Sequence, residues 1–455
     1  MTRKSVVLFV CGLVPLSLAS AAHAQVQRGA TAAESHAARA TGGTGPAESP
    51  QADGWRQLGG PQRNFRVDSA AVAVAWDAAG PTRLWSRPLG EGYSSILADG
   101  DLLVTMYRRD DDEVIVALDA ATGATRWEHA YHAPLVHNGY FDVWLNSAGP
   151  GPYSTPMIAG DVVFAVGVDG RLHALDKRTG ELRWARDLAA AFDVAEYNAF
   201  ASSPIAYGRT VILPLGGSGD GVVALDRETG ATVWRSPTFD LAPGSPLLIE
   251  VDGRDQLVVV GQQELVGLDP RDGRRLWSHP HANDLGLNLS MPVWDGGDTL
   301  FLSSGYSGGS RMIRLSQAGG RTTTEEVWFN NRMRVHFGTA LRLDGLVVAS
   351  TGDFGPAFVA ALDAETGEET WRERTFARAQ MLNAGGFLVI LDEDGDLAVA
   401  SVTLDGMQVH ARATVLTSNA WTAPTLVGSI LYARDRHRIV ALDLGDPDAV
   451  AAAPR

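Results

Sequence analysis

Hydrophobic and polar positions in this chain fall into short runs, which is the pattern of β-strands. The apolar runs Val162–Val166 and Val211–Leu215 are each followed, a few residues later, by a second run, Leu172–Leu175 and Val222–Leu225. Gly and Asp separate the paired runs, as is typical of hairpins. No stretch of the chain after about residue 54 shows a convincing helical period. The pattern therefore predicts an all-β protein.

An eleven-residue motif that closes with a tryptophan follows many of these hairpins. It occurs as ALDAATGATRW, ALDKRTGELRW, ALDRETGATVW, GLDPRDGRRLW and ALDAETGEETW, which end at Trp127, Trp184, Trp234, Trp277 and Trp371. The Asp is suited to accept hydrogen bonds from turn amides, and the Gly supplies a backbone with positive φ. We expect the tryptophan to pack against a neighbouring sheet as a structural residue. The alternative is that it contributes to a binding site.

The spacing of the closing positions predicts the architecture. These positions are Trp85, Trp127, Trp184, Trp234, Trp277, Trp328 and Trp371, with His410 as a degenerate eighth. The mean spacing is about 46 residues, the length of a four-stranded propeller blade. No three strands precede Trp85, and no tryptophan follows the strands of Ala423–Leu442. We therefore predict an eight-bladed β-propeller of four-stranded antiparallel blades. The N-terminal strand Thr82–Pro88 closes the ring on the last blade, beside the strand that ends at Leu442.

The N-terminus has the organisation of a secretory signal peptide. Two basic residues, an apolar run and a small-residue ending predict cleavage near Ala24. We expect residues 1–24 to be the signal, 25–53 a flexible leader, 54–446 the propeller domain and 447–455 a C-terminal tail. A lipid anchor at Cys11 is the alternative to simple cleavage. No later stretch is long and apolar enough for a transmembrane segment, so the predicted location is the periplasm or the exterior.

The net charge and the sequence motifs limit the classes of function that the chain can have. The formal net charge of −15 argues against nucleic-acid binding. The sequence has no H-E-x-x-H or phosphate-loop motif. The histidines at 129, 132 and 137, in an insertion predicted at His129–Pro152, are weak candidates for a metal site, and we predict none. The acidic run Asp392–Asp396 is interpreted as a hairpin turn, with a calcium loop as the alternative.

The repeated motif resembles the PQQ-like β-propeller repeat. The resemblance covers Trp55–Leu444 and includes the opening stretch WRQLGGPQRN at Trp55–Asn64. It implies a scaffold that is shared by quinoprotein alcohol dehydrogenases and by the non-catalytic propeller of the outer-membrane protein assembly machinery, the BamB-like branch. In the dehydrogenases, it implies a quinone held between a tryptophan and a disulfide of adjacent cysteines, beside a calcium ion.

Cysteine content weakens the dehydrogenase interpretation. Cys11 is the only cysteine and lies in the signal, so the mature chain cannot form that disulfide. No cofactor is required by the sequence, and PQQ with calcium stays an alternative. In that alternative Asp353 and Asp142 with Asn146 supply the base and the calcium ligands.

The residues that begin the inner strand of each blade are expected to converge on the propeller axis. They form a small, polar set with aromatic interruptions, and the loops before them add further candidates. The ligand-binding candidates are Tyr93, Asp142, Trp144, Tyr153, Asn198, Asn288, Arg334, His336, Asp353 and Trp421. Trp421 and Tyr153 are expected to stack, and Arg334 with His336 to hold an anionic or carbonyl group. Ordinary loop hydrogen bonding is the alternative for each.

The sequence favours a binding or scaffolding module without catalytic residues. We expect an exported propeller that takes a protein partner or a small molecule at its mouth and takes part in cell-envelope protein assembly. A PQQ-dependent alcohol or sugar dehydrogenase is the alternative.

Overall fold

Eight small antiparallel sheets follow one another along the chain and form a closed β-propeller. The computed structural model describes residues 54–68, 72–76, 79–134, 149–194, 200–215, 221–353, 355–417 and 419–445. Three strands precede the first complete blade: β1 (Gly54–Trp55), β2 (Arg66–Val67) and β3 (Thr82–Pro88).

Each blade runs from an innermost strand at the axis to an outermost strand at the rim. Blade 1 is β4 (Leu97–Asp99), β5 (Leu102–Arg109), β6 (Asp112–Asp119) and β7 (Thr125–His132). Blade 2 is β8 (Met157–Ala159), β9 (Val162–Val166), β10 (Arg171–Asp176) and β11 (Leu182–Asp187). Blade 3 is β12 (Ile205–Tyr207), β13 (Thr210–Pro214), β14 (Val222–Asp226) and β15 (Thr232–Arg235). Blade 4 is β16 (Leu247–Val251), β17 (Arg254–Val260), β18 (Glu264–Leu268) and β19 (Arg275–Pro280).

The second half of the ring repeats the same order. Blade 5 is β20 (Val293–Trp294), β21 (Thr299–Ser304), β22 (Gly309–Ala318) and β23 (Arg321–Asn330). Blade 6 is β24 (Ala340–Leu343), β25 (Leu346–Thr351), β26 (Phe358–Asp363) and β27 (Glu369–Glu373). Blade 7 is β28 (Ala379–Ala384), β29 (Phe387–Asp392), β30 (Asp396–Thr403) and β31 (Gly406–Thr414). Blade 8 is β32 (Thr425–Val427), β33 (Ile430–Arg434), β34 (Arg438–Asp443) and β3.

The extent of burial explains why the middle strands are continuously apolar and the outer strands are not. The middle strands are covered on both faces by the neighbouring blades, so β9 is buried at all five positions and reads as a continuous apolar run. The outer strands bury little, as β7 does with Trp127. The core therefore lies in the spaces between blades. One such cluster joins Val104 and Ile115 of blade 1 to Val163 and Leu175 of blade 2.

The eleven-residue motif folds as the sequence predicts. Asp176 Oδ1 accepts hydrogen bonds from the backbone amides of Arg178 and Thr179 and from the Thr179 hydroxyl. Gly180 has a φ of 73°, which a residue with a side chain adopts only at a cost. Asp119, Asp226 and Asp363 make the same set of bonds in their own turns.

Each closing tryptophan but one joins its blade to the next. Trp127 donates from Nε1 to the carbonyl oxygen of Lys177 at 2.9 Å, and its ring lies on Gly180, where a Cβ would come within 2.6 Å of it. Trp85, Trp184, Trp234, Trp328 and Trp371 likewise each donate to a carbonyl of the following blade. These contacts are the ones that a structural tryptophan makes, and the structural role itself stays a prediction.

Trp277 is the exception, and its own motif shows why. Its Nε1 donates to Gln256 Oε1 in the same blade, and Gln256 Nε2 donates to Thr322 of blade 5. The motif begins with Gly267 in place of the usual Ala, and a Cβ there would lie 2.1 Å from the Trp277 ring. Blade 5 lacks the motif turn, so Gln256 makes the hydrogen bond that joins blade 4 to blade 5.

The ring closes where the sequence predicts. Strand β3 pairs antiparallel with β34, with Thr82 opposite Asp443 and Pro88 opposite Arg438. Arg434 of blade 8, completely buried, crosses the same seam. It donates to the carbonyls of Met106 at 2.8 Å and Gly90 at 3.1 Å. The exposed edge that an open ring would leave is thus covered.

Three local predictions need correction. A helix, α1 (Leu188–Phe192), follows β11 with Asp187 as its N-cap; five residues are too few to show a helical period. His410 does not occupy the tryptophan position, because the bulge in β31 places Ala411 opposite Val399 and leaves His410 unpaired. The insertion begins later than His129, because β7 continues to His132.

Candidate functional site

The starts of the eight inner strands meet in one axial cavity of about 290 Å³. Each blade contributes at least one lining residue from the set predicted to converge: Tyr93, Tyr153, Ser203, Ser245, Leu289, His336, Gln380 and Trp421. The predicted convergence on the axis is therefore confirmed. Whether a ligand binds there remains a prediction.

Most of the small polar residues at the axis join blade to blade. The backbone amide of Ser95 donates to Thr155 Oγ1 at 3.0 Å, and that of Thr155 donates to Ser203 Oγ at 2.9 Å. The amide of Ser203 in turn donates to Ser245 Oγ at 3.0 Å. These hydroxyls accept hydrogen bonds from amides of the preceding blade. Their oxygen atoms therefore hold neighbouring blades together and are less available to a ligand.

Aromatic side chains form a continuous arc along the cavity wall, which we call the aromatic arc. Its members in order of contact are Tyr153, Tyr93, Trp421, Phe337, His336 and Tyr306. The Tyr93 ring stacks on Tyr153 at 6.1 Å and on Trp421 at 5.3 Å between centroids. Such a surface offers planar, apolar contact to a bound molecule.

Polar groups of the aromatic arc make hydrogen bonds to neighbouring residues. Trp421 Nε1 donates to Glu393 Oε2 at 2.8 Å, and Gln380 Nε2 donates to the carbonyl of Trp421 at 2.8 Å. The Tyr153 hydroxyl donates to the carbonyl of Gly149 at 2.5 Å. Burial raises the pKa of Tyr153 above its ordinary value. The tyrosine is therefore a neutral wall residue.

His336 is a neutral imidazole in this wall. It is 4% exposed, and its Nε2 lies 2.5 Å from the Tyr306 hydroxyl. Burial, with a smaller contribution from the positive charge of Arg378, lowers the pKa of His336 to about 4. At neutral pH the residue therefore offers hydrogen bonding without charge.

The floor of the cavity comes from the opening stretch of the propeller. Residues 54–68, which we call the floor segment, pair through β1 with β4 and through β2 with β28. Leu58, Arg63, Asn64 and Phe65 of this segment line the cavity. The sequence marks the stretch as an opening but does not place it at the axis. Its two glycines and a proline signal a turn, but no local pattern says what the turn covers.

The ten ligand-binding candidates are not all brought together. Tyr93, Tyr153, His336 and Trp421 line the axial cavity. Asn288 is completely buried and binds the carbonyl of Gly261 at 2.7 Å and the Asn283 side chain, so it serves the link between blades 4 and 5. Asp142, Trp144 and Asn198 lie outside the described residues, as does Asn146.

Arg334 and Asp353 belong to a different surface. They line a separate depression beside Arg332 and Arg372, and their charged groups lie 3.8 Å apart. Asp353 also accepts a hydrogen bond from the backbone amide of Tyr306 at 2.9 Å. Of the two residues predicted to hold an anionic or carbonyl group together, only His336 lines the axial cavity, and their joint ligand contact stays a prediction.

The described cavity wall does not fit a calcium ion beside a quinone. Calcium takes six to eight oxygen ligands, several of them carboxylates, and no Asp or Glu is among the described lining residues. Across the described chain, no three His, Cys, Asp or Glu residues cluster as a metal site. The run Asp392–Asp396 is a turn between β29 and β30, in which Asp392 Oδ1 accepts from the amides of Asp394 and Asp396. It therefore folds as the predicted hairpin turn.

Fold and site together define a closed eight-bladed propeller with a floored axial cavity. A family model described as outer membrane protein assembly factor BamB matches residues 68–246, 111–351 and 315–452. Together these matches span most of the chain, so the chain belongs to this PQQ-repeat family.

Relatives come from two kinds of protein. The outer membrane protein assembly factor BamB of Burkholderia pseudomallei (strain K96243) is 25% identical over 355 residues, covering 69% of this chain and 86% of that protein. The quinoprotein ethanol dehydrogenase of Pseudomonas putida is 26% identical over 216 residues, covering 46% of this chain and 26% of the dehydrogenase. The chain thus aligns with about a quarter of the enzyme and with most of the assembly factor.

Solved structures agree on the fold alone. BamB from Moraxella catarrhalis superposes with a TM-score of 0.58 at 21% identity, covering 80% of this chain and 98% of that one. A europium-containing methanol dehydrogenase superposes with a TM-score of 0.60 at 13% identity, covering 87% and 90%. In the part of the chain that the structure describes, no helix has the length and apolarity needed to cross a membrane.

Proposed function

We propose that this chain is an exported propeller that acts as a binding and scaffolding module in protein assembly at the cell envelope. The observation that carries the proposal is the family match across residues 68–452, together with the alignment to most of an assembly factor.

Export by the N-terminal signal, with cleavage near Ala24, is part of the proposal. The protein would then act in the periplasm or outside the cell, where a partner protein binds the ring. The described blades offer long outer strands, and the floor segment with residues of several innermost strands lines a broad depression of about 850 Å³.

Deletion of the gene in its own organism tests the proposal. We expect lower amounts of folded outer-membrane β-barrel proteins, measured by heat-modifiable electrophoresis, and recovery with the full chain. The matched control is the chain without residues 1–24, which should not restore them. Unchanged barrel levels after deletion would contradict the proposal.

A quinone-dependent oxidoreductase is the second candidate, and the aromatic arc favours it because planar cofactors stack on such walls. Under this candidate Asp142 with Asn146 supplies oxygen ligands for the calcium ion. Purified protein is mixed with PQQ and calcium and tested for a bound chromophore and for dye reduction with alcohols or sugars. A stoichiometric chromophore with turnover supports this candidate, and no binding rejects it.

A further inference from the structure

Three arginines line one depression where blade 5 leads into blade 6. Arg332 and Arg334 follow the outermost strand of blade 5, and Arg372 belongs to β27 of blade 6. Asp353 is the only acidic residue among the described residues of this lining, so three positive charges and one negative charge leave a formal charge of +2. The whole chain has a formal net charge of −15. We call this surface, of about 640 Å³, the arginine depression.

Arg372 is held in one orientation by contacts that leave part of its guanidinium unused. Its Nε donates to Glu369 Oε1 at 3.0 Å, and its Nη2 donates to Glu369 Oε2. The guanidinium carbon lies 4.1 Å from the centroid of the Phe358 ring, a cation–π contact. None of these contacts uses Nη1, and the side chain is 27% exposed. Arg372 is therefore both fixed in place and accessible to a ligand.

Arg334 and Arg332 also keep accessible donors. Nε of Arg334 donates to the carbonyl of Asn331 at 3.1 Å, and its Nη1 lies 3.8 Å from Asp353 Oδ2. These contacts do not use Nη2, and the Arg334 side chain is 37% exposed. Arg332 is exposed and forms no ion pair with the described residues. Three arginines with accessible donors thus lie around one depression.

A second arginine cluster, in blade 4, shows what distinguishes the arginine depression. There the carboxylate of Asp269, which is 1% exposed, is surrounded by Arg254, Arg271 and Arg274. Their Nη2 atoms lie 3.0, 2.7 and 3.8 Å from Asp269 Oδ2, so the chain itself supplies the anion. In the arginine depression Asp353 forms an ion pair with Arg334 alone of the three arginines. The described chain therefore leaves an excess of positive charge there.

The charge and the number of arginines together indicate the ligand. A phosphate monoester carries a charge of about −1.5 to −2 at pH 7 and three acceptor oxygens, which matches the formal charge of +2. Several arginines can then each donate to a different oxygen. A carboxylate has a single charge and two oxygens in one plane, which one arginine can occupy. The volume of about 640 Å³ leaves room for the group that carries the phosphate, since ligand pockets range upward from roughly 300 Å³.

We propose that the arginine depression binds a phosphate monoester, and that Arg332, Arg334 and Arg372 donate hydrogen bonds to the phosphate oxygens. The group that carries the phosphate occupies the remaining volume of the depression. This proposal rests neither on the scaffolding function nor on a ligand in the axial cavity.

Titration calorimetry on the full mature chain at low ionic strength tests the site, with glucose 1-phosphate as the probe. We expect saturable binding with a dissociation constant below about 1 mM. Glucose, which lacks the phosphate, and acetate, which has one charge, should each bind at least about tenfold more weakly. The absence of saturable glucose 1-phosphate binding would overturn the proposal, and so would acetate binding of equal affinity.

Single substitutions locate the site. Arg334→Gln and Arg372→Gln should each weaken glucose 1-phosphate binding at least about fivefold, because each removes a charge-assisted hydrogen bond. Arg274→Gln is the matched control: it removes the same charge from the cluster in blade 4, and it should leave the affinity within about twofold. If Arg372→Gln does not fold, Arg332→Gln changes an exposed residue and should also weaken binding at least about fivefold. Parent affinity in the variants of the depression would overturn the proposal.

Salt provides a readout that a purely structural role of the arginines would not produce. Raising the ionic strength from about 0.01 M to about 0.15 M should weaken glucose 1-phosphate binding at least about threefold, because it screens the attraction between the ester and the arginines. An affinity that does not change with salt would contradict recognition of the charge.

Vesicles distinguish the two sources of such an ester. Cosedimentation with vesicles that contain phosphatidic acid, absent with phosphatidylcholine alone and reduced by Arg334→Gln, supports a lipid headgroup as the ligand. Binding of glucose 1-phosphate without cosedimentation supports a soluble phosphate ester. Failure of both probes to bind would overturn the proposal.

Discussion

Two buried arginines distinguish the closing seam of the ring from the floor of its axis. Arg434 crosses the seam between blades 8 and 1, and each of its three nitrogens has an acceptor, among them the carbonyls of Met106, Gly90 and Asp435. Arg63 on the floor uses one nitrogen and leaves two. Burial lowers the pKa of both, of Arg434 to about 10 and of Arg63 to about 9.

The difference between them lies in the partners rather than in the burial. At the seam the backbone of one blade supplies acceptors, so the charge stabilises the closed ring. On the floor, Nε and Nη2 of Arg63 have no acceptor among the described residues, so the same kind of side chain is costly to bury there. A buried arginine stabilises the ring in the first place and adds an incompletely paired charge in the second.

The largest effect should come from truncations that remove the seam or the floor. A chain that begins at Thr82 loses the floor segment but keeps β3, and we expect it to unfold cooperatively with reduced stability. A chain that begins at Glu91 also loses β3 and exposes the edge of β34, so cooperative unfolding should disappear. Circular dichroism melting distinguishes the two. Removal of residues 25–53 is the control and should change little; equal melting of all three chains would refute ring closure by β3.

The next largest effect separates the two arginines directly. Arg434→Met should lower the free energy of unfolding by about 2–4 kcal/mol, because buried carbonyls lose their donor. Arg63→Met should not lower it. Denaturant titration of both variants measures the contrast, and a similar loss in both would remove the distinction between seam and floor.

The pH dependence of the free energy of unfolding tests whether His336 is neutral in the wall of the axial cavity. The pKa of His336 is lowered from 6.5 to about 4 by burial and by Arg378. The folded protein therefore binds fewer protons than the unfolded chain between these values, and its stability falls as the pH drops from 6.5 to 4. In His336→Gln this fall should be smaller by about 1–3 kcal/mol, measured by denaturant titration. An identical fall in both proteins would contradict a neutral, buried His336.

A tryptophan contact at the seam should show coupling. The Trp85 ring lies on Gly123, where an added Cβ would lie 2.6 Å from it at a φ of 71°. Gly123→Ala and Trp85→Ala should couple by about 1–2 kcal/mol in a double-mutant cycle. Gly100→Ala is the matched control, because Gly100 has a similar φ of 63° with nothing within 4 Å. Additive effects of the first pair would show that the ring does not rest on this glycine.

The smallest effect on stability is expected for a substitution at Arg334, which was paired with His336 because the two are close in sequence. Arg334→Ala should change stability by less than about 1 kcal/mol, since its contact with Asp353 is partly exposed. Denaturant titration measures this change, and a loss above about 2 kcal/mol would show that Arg334 is needed for the structure of its blade.

The blades could be predicted from the amino-acid sequence alone. Turn chemistry at Asp176 and Gly180, continuous apolar runs in middle strands such as β9, and the spacing of the tryptophans are local features, because each depends on residues near in sequence and repeats with every blade. Even the departures were visible, since Gly267 in place of Ala accompanies the altered Trp277 contact. The convergence of the inner strands followed from the repeat, and so did the pairing of β3 with β34.

The contents of the axis, in contrast, depend on how the whole ring packs. The floor segment occurs once, so no repeat indicates that it turns back under the ring and brings Arg63 beside Pro204, which is 141 positions away. The sequence marked Asn288 and Arg334 as candidates because they are polar and precede inner strands. Their roles depended on whether neighbouring blades supplied partners or left them at the surface. Hydrogen-bond satisfaction at the axis is a property of eight blades together, and a local pattern cannot express it.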